Sequence, residues 1–578
     1  MNRILIIAAD AIFALSLLLL SGCIDDKYNL SDIDTTSEFS VNGLVLPLNL
    51  DEITLKSIFN INEDSKIKEI DGEYVVVVDG EFSSGNVAVN RIEVAAPVIP
   101  SSSTEITMPA NLRGSVIGVG ADATVVTVAL PTVGTSFSVE AENVAEEIID
   151  IEHLKIDFGL TMRCEIPQFA GVLKGYKLKN LRMQMPKGMK CVVAGAEYNA
   201  TTGIVTIPVI EATGKSAEVK FLFSELDAKQ SGLNFSKDNH TIKYEGELRQ
   251  LSGELEVAIA DIYDGASIPA KVNFNNDYVA TKLTVTEFTG RMAYHPTGLS
   301  PEPFTLDGLP DVFTQQSTDI SITNPQIYVN VSNPLSDYGL TADVDLVLNA
   351  LREGEPANRY APDDGAFVLS EKNSNYCLSP TAPAVAVAGY ENAKHVKFSS
   401  LAGVLSGKGM PSRIAIELDN TMLPEQRVAS LPLGKDFGKY EGKYKFYAPL
   451  NLKAGSKVVY TDTEAGWNDD DVDKIVIKHI EATATVSSDC PVEAVFSAYP
   501  VDVNGNQIEG VSVQVSVIPA NAQSEPLKIV IEGEVKHLDG ITFQAVATAK
   551  DGETLSPQMK IKLDNVKVKV SGNYVTEL

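Results

Sequence analysis

The densest concentration of chemically useful side chains is "WNDDDVD", where Asp469, Asp470, Asp471 and Asp473 crowd beside the only tryptophan, Trp467. Clustered carboxylate oxygens are the ligands that a hard cation such as calcium takes. An EF-hand loop counted from Asp469 would need glycine at its sixth position and glutamate at its twelfth, but Lys474 and Ile480 stand there. The segment reads first as a solvated acidic loop and second as a calcium site, and no other cofactor is expected. A different chemistry is on offer in "KYEGKYKFYAPL", where Tyr440, Tyr444 and Phe446 fall on one side of an alternating strand. Rings so placed stack on sugars if they face solvent, whereas packing into a core is the ordinary outcome for such a strand.

Other patterns lose their chemistry once their context is read. Gly118 to Ala123 has the spacing of a dinucleotide fingerprint, yet "TVVTVAL" follows it, a strand in place of the helix whose N-terminus must hold the phosphate. Gly214-Lys215-Ser216 ends like a P-loop, but Val209 occupies the required upstream glycine position. The sequence contains neither a Gly-x-Ser-x-Gly elbow nor a His-Glu-x-x-His pair. The six histidines, His153, His240, His295, His395, His479 and His537, never fall at ligand spacing from one another. Cys164, Cys191, Cys377 and Cys490 are too sparse for a disulfide framework. A Cys164 to Cys191 bridge stays open beside the plainer reading of two small buried side chains.

The elements that would have to position these residues are strands. In "MKIKLDNVKVKV", apolar residues alternate with lysines on both sides of Asp564-Asn565, which predicts a hairpin with a two-residue turn. "KIKEIDGEYVVVV" repeats the device at Asp71-Gly72, and "VDVNGNQIEG" at Asn504-Gly505. Helical periodicity is confined to short stretches such as Asp51 to Phe59 and Ser399 to Leu405, which argues against a parallel α/β core. "ITNPQIYVNVSNPL" places Asn-Pro breaks on either side of one strand, loosely as in small immunoglobulin-like sandwich domains. A weak repeat recurs as "VAVNRIEV" from Val87, "IDIEHLKI" from Ile149, "LTVTEFTG" from Leu283 and "IVIKHIEA" from Ile475. Its shift of phase after the polar fifth residue predicts a strand that carries a bulge or passes between sheets.

A chain of 578 residues is long for one domain. The expectation is an all-β chain of tandem, immunoglobulin-like β-sandwich modules after a lipidated flexible tether. Its parts are a signal peptide over 1–22, a tether over 23–36, a β module over 37–145 and a sandwich module over 146–265. A β region of two modules over 266–465 and a C-terminal sandwich module over 466–578 complete it. With 47 basic and 77 acidic residues the net charge is -30, which makes nucleic acid and anionic lipid head groups poor partners.

The N-terminus decides where the chain resides. Arg3, a mostly apolar run from Ile4 to Leu20 and small residues before Cys23 form an export signal, too short and too interrupted by Asp10 for a spanning helix. Leu20-Ser21-Gly22-Cys23 resembles the bacterial lipobox, which implies cleavage before Cys23, acylation of that residue and attachment through the lipid alone. Ile24-Asp25-Asp26-Lys27 is similar to the acidic surface-export signal of Bacteroidota lipoproteins, and Asp34-Thr35-Thr36 to the O-glycosylation motif of that phylum, with Thr35 as acceptor. "CIDDKYNLSDIDTT" and "YKFYAPLNLKAGSKVVYTD" resemble segments of a group of large Bacteroidales lipoproteins, over most of the chain. That resemblance implies a lipid-anchored outer-membrane β protein facing the cell exterior and brings no catalytic residues with it.

The resulting expectation is a non-enzymatic surface protein that binds, adheres or scaffolds, with an outer-membrane protein or surface glycan as partner. Two alternatives stand beside it: a glycan-binding accessory of an outer-membrane importer, and a hydrolase with an unrecognised site. One tryptophan against nineteen tyrosines argues mildly against a dedicated sugar platform.

Overall fold

In a computed structural model, the described residues are 36–47, 53–55, 65–112, 124–306, 309–352, 354–418, 420–468, 472–550 and 553–577. They form a nearly all-β protein of sandwich-type modules. The described α-helices, such as Ala402–Leu405, are each a single turn of four residues. Two compact units are present. Unit one comprises Met1–Leu55, Lys457–Lys550 and Gln558–Leu578, and unit two comprises Lys56–Ser456 with Asp551–Pro557. In chain order, most of unit two is therefore bracketed by the two ends of unit one.

Unit one is a two-sheet sandwich. One sheet runs from the N-terminal strand Thr36–Pro47 through the C-terminal strand Lys560–Glu577 to Ile475–Ser488, Glu525–Val535 and Ser512–Gln514. The other pairs Lys457–Glu464, Gly540–Thr548, Glu493–Val501 and Ser516–Ile518. Between them lies one core, with Ile477, Ile480, Val486, Ile529, Ile531 and Val568 from the first sheet and Ala498, Ile518 and Ile541 from the second. Alternation along each strand sends these side chains inward and leaves the lysines of "VKVKV" outward.

Lys560–Glu577 is one continuous strand, so the hairpin expected at Asp564-Asn565 is not formed. A type I′ turn needs positive φ at both central residues, and of the two only Asn565 has it, at 55°. That single left-handed residue makes a bulge, seen as the register shift opposite Thr483 and Thr485. At Asp71-Gly72 both residues do have positive φ, 52° and 82°, and the hairpin between Ile67–Ile70 and Glu73–Ala88 forms as expected. Around Asn504-Gly505 the loop is closed by Asp502, whose carboxylate accepts from the backbone N–H groups of Asn504 and Asn506.

Unit two contains a large antiparallel sheet whose longest strands are Ile148–Glu165 and Thr241–Ala258. The first pairs with Lys271–Ala280 and Leu283–Tyr294, and the second with Val125–Ala129 and Val133–Ala141. These pairings cross the boundaries expected at 145/146 and 265/266. Eighteen-residue strands need partners along their whole length on both sides, and the neighbouring segments of sequence supply them. A second layered region of this unit sets Ile327, Val329, Val331, Phe82 and Tyr444 against Val344, Leu346 and Ile416 across an apolar interior. Cross-strand pairs such as Arg163–Glu218 at 2.6 Å, Lys243–Glu140 at 2.6 Å and Lys443–Glu81 at 2.9 Å lie outside, directly opposite in register. Cations matched in this way leave the excess of acids uncompensated.

The repeat has a structural counterpart. Glu152, Thr286 and Lys478 each occupy its fourth position, one before the polar residue, and each is the extra residue of a register shift, Lys478 against Lys560–Glu577. At the copy beginning with Val87 the strand instead ends at Ala88 and pairing resumes at Ile92. The strand expected between the Asn-Pro breaks is Gln326–Ser332. Buried Asn333 ends it by donating to the carbonyls of Leu340 and Leu369 and accepting from the N–H of Leu335.

Candidate functional site

Cys23, Asp25, Asp26, Thr35, Asp469, Asp470 and Asp471 lie outside the described residues, as does the glycine-rich segment 118–123. Asp473 does not stand free. It sits in the short turn Val472–Lys474, and its Oδ1 is 2.6 Å from Nδ1 of His537. A carboxylate only accepts, so Nδ1 carries the shared proton and Nε2 is left for another partner. The hydrogen bond from His537, then that from Asn468, holds the Asp473 carboxyl below the usual carboxylate range. Asp539 completes the arrangement by accepting from the N–H groups of Gly466 and Asn468, at 3.2 and 3.0 Å, while its carbonyl accepts from Trp467 N. Trp467 packs, partly buried, against the core of unit one. What the arrangement does physically is tie residues 466–468 and 473 to the turn at 537–539. Among the described residues, no group of three or more His, Cys, Asp and Glu side chains is placed to hold a metal ion.

The aromatic strand is Asp436–Pro449, and its rings face inward. Tyr440, Tyr444 and Phe446 are 0, 5 and 1 % exposed, so none offers a face to a sugar, which corrects the stacking expectation. Alternation explains the orientation: Lys443 and Lys445 take the outer face, paired with Glu81 and Asp79, and the rings take the inner one. Phe304 lies 6.1 Å from the Tyr444 ring and 5.8 Å from that of Phe446.

The other residue types are likewise engaged in packing. Cys164, Cys191, Cys377 and Cys490 are free and buried, and burial pushes the thiols of Cys164 and Cys191 up to about 12. A Cys164 to Cys191 bridge is excluded by register. Cys164 pairs with Ala217 and Cys191 with Phe223, so six residues of one strand, roughly 20 Å, separate them, whereas a disulfide needs Cα atoms within ~7 Å. His153 and His479 lie beside Glu225 and Glu532, and His395 Nε2 contacts Ser379. Gly214, with φ 68°, and Lys215 form the turn between Ile204–Thr213 and Ser216–Asp227.

One group of recognition type was missed in the sequence. Tyr338 and Phe437 meet edge to face at 5.2 Å, and the Lys435 ammonium lies 5.5 and 5.6 Å from their ring centres. Lys435 Nζ also donates to the Tyr338 hydroxyl at 2.8 Å. Both rings are half-buried and Lys435 is exposed, all at the loop end of strands Gln326–Ser332 and Asp436–Pro449. The one local signal was "GKDF", a lysine and an aromatic just after the turn at Leu433-Gly434. Tyr338 comes from a loop about a hundred residues earlier, so no spacing announces the group.

No family model matches the chain, and no curated protein matches it. Among solved structures, similarity is found to a protein of Parabacteroides distasonis described as secreted, at 16 % identity over 49 % of this chain and 89 % of the other, with a TM-score of 0.32. The Faustovirus major capsid protein shares 8 % identity over 89 % of this chain and 92 % of its own, with a TM-score of 0.08. The fold and the sites together define an all-β protein of sandwich-type modules. No described helix is long and apolar enough to cross a membrane.

Proposed function

We propose that this chain is a lipid-anchored surface protein of the outer membrane that binds a macromolecular partner and does not catalyse a reaction. Attachment through Cys23 rests on Leu20-Ser21-Gly22-Cys23, and the outward orientation on Asp25 and Asp26. The observation that carries the binding role is the Tyr338, Phe437 and Lys435 group. Two half-buried rings and an exposed ammonium stand together at the loop end of packed strands, a place where a rigid scaffold carries recognition residues. The rings on strand Asp436–Pro449 that suggested a sugar platform are core, which weakens the importer-accessory reading. A net charge of -30 favours a neutral or basic partner, with association that weakens as salt rises.

The test is capture from detergent-solubilised outer membranes with the lipidated full chain as bait, beside the Tyr338→Ala/Phe437→Ala variant. Partners retained by the native chain and lost by the variant support the reading. Equal capture by both contradicts the assigned surface, and turnover of a glycan or ester substrate abolished by one substitution replaces binding with catalysis.

A further inference from the structure

The N-terminal strand Thr36–Pro47 touches the fold in a particular way. It is an outermost strand of its sheet, pairing antiparallel with the C-terminal strand from Thr36 opposite Glu577 to Pro47 opposite Lys567. An edge strand added to the far end of the same chain is an intramolecular form of strand addition, in which main-chain hydrogen bonds supply affinity. Its register is pinned. The strand carries one extra residue between Val41 and Leu44, at Asn42-Gly43, where the partner advances from Gly572 to Val570. On the opposite side of the C-terminal strand, Ile475–Ser488 carries its own extra residue, Lys478, between the partners of Gly572 and Ser571. Gly572 is required there, because a Cβ on it would lie 2.4 Å from the Val476 carbonyl oxygen. Bulges on both neighbours meet at one point, and a one-residue slip of the N-terminal strand would misalign it.

We propose that Thr36–Pro47 is a separable anchor strand: the edge of Lys560–Glu577 is a docking surface whose occupant is this segment, and their pairing alone suffices to hold the rest of the chain on the lipid carried at Cys23. The inference rests on the lipid attachment proposed above. Its consequence is that breaking the polypeptide between the anchor strand and Ile53 does not free the protein from the membrane. Release requires the strand to be peeled from its partner.

The experiment inserts the recognition sequence of a specific protease after Asn49 in the full-length chain, isolates membranes, cleaves, and washes. Denaturing electrophoresis establishes that the bond is cut. The cut chain is expected to remain in the membrane pellet as fully as the uncut chain, and to enter the supernatant when urea unfolds unit one. Most of the cut chain appearing in the first wash would overturn the proposal. A second variant adds Ser40→Pro/Val41→Pro; successive strand residues point their N–H groups to opposite sides, so one of the two prolines removes a donor directed at the C-terminal strand. This variant is expected to stay on the membrane uncut and to leave it on cleavage, and retention after cleavage would show that something other than strand pairing holds it. If the insertion prevents folding, residues 1–50 and 53–578 are supplied as two chains in one cell, the second behind a cleavable non-lipid export signal of its own so that both reach the same compartment. Membrane recruitment of the second chain by the first supports the anchor strand, and its absence overturns it. Failure of the underlying lipid attachment is separately visible, because the uncut native chain would then be missing from the pellet.

Discussion

Gly80 and Tyr444 face each other across strands Glu73–Ala88 and Asp436–Pro449, and the tyrosine ring fills the space that a side chain on the glycine would take. A Cβ built on Gly80 would lie 2.4 Å from Cε1, Cζ and Oη of Tyr444, well inside the ~3.5 Å at which carbon atoms rest. Gly80→Ala must therefore push the ring into a packed apolar layer, at a cost of about 1–3 kcal/mol. Tyr444→Ala removes a ring that is 5 % exposed and costs about 3–5 kcal/mol. With the ring gone, Gly80→Ala meets open space, and its cost should vanish or reverse, since glycine is the poorer strand residue. The double variant should then be more stable than the sum of the single effects by about 1–3 kcal/mol, well beyond the ~0.5 kcal/mol of ordinary additivity. Urea unfolding of the four proteins, followed on the unit-two transition, measures this directly. Additive effects would refute the packing argument, and an unchanged stability of Tyr444→Ala together with lost glycan binding would restore the ring to a ligand.

In a Cys23→Ala background, a thiol reagent at pH 8 should leave Cys164 and Cys191 unlabelled in the native protein and label all four remaining cysteines in denaturant, because burial raises the two thiols to about 12; rapid native labelling of either would contradict their burial. Glu225, Glu287 and Glu481 are held below the ordinary carboxylate range chiefly by hydrogen bonds from Lys190, Lys155 and Lys528, and Asp473 by His537. A depressed folded pKa stabilises above the unfolded value and is lost as pH falls through the folded one, so the melting temperature should hold steady from about pH 8 to 5 and fall below about pH 4; a rise on acidification from 5 to 3 would reverse the sign of the argument. Asn565→Val should destabilise unit one by about 1–2 kcal/mol, since φ is 55° there, whereas Asn565→Gly should not; equal thermal transitions for both would remove the bulge reading. Replacing Asp25 and Asp26 with alanine should leave the protein on membranes but shield it from protease added to whole cells, and digestion equal to that of the native form would discard those residues as an export signal.

Much of the local architecture was legible because it is set locally. Alternation marked the strands, Asp71-Gly72 supplied both positive φ values that a type I′ turn needs, and Asn333 ended its strand with its own side chain. In three of its four copies the repeat carries an extra residue, Glu152, Thr286 or Lys478. What was hidden is set by partners far away in sequence. Asp564-Asn565 carries the letters of a turn, and only the strands on either side of it decide that the chain runs straight on. Nothing near Thr36 announces Glu577, and nothing near Asp473 announces His537. The face taken by Tyr444 was narrowed to two by period, but the choice between core and solvent required the opposing sheet.

The proposed membrane anchor is tested most directly by the chemistry of Cys23. Protein extracted from membranes with detergent, digested and examined by mass spectrometry, should yield an N-terminal peptide that begins at Cys23 and carries the mass of attached acyl chains. A peptide that begins upstream of residue 23, or one that contains Cys23 unmodified, would contradict the anchor and with it the surface role proposed for the whole chain.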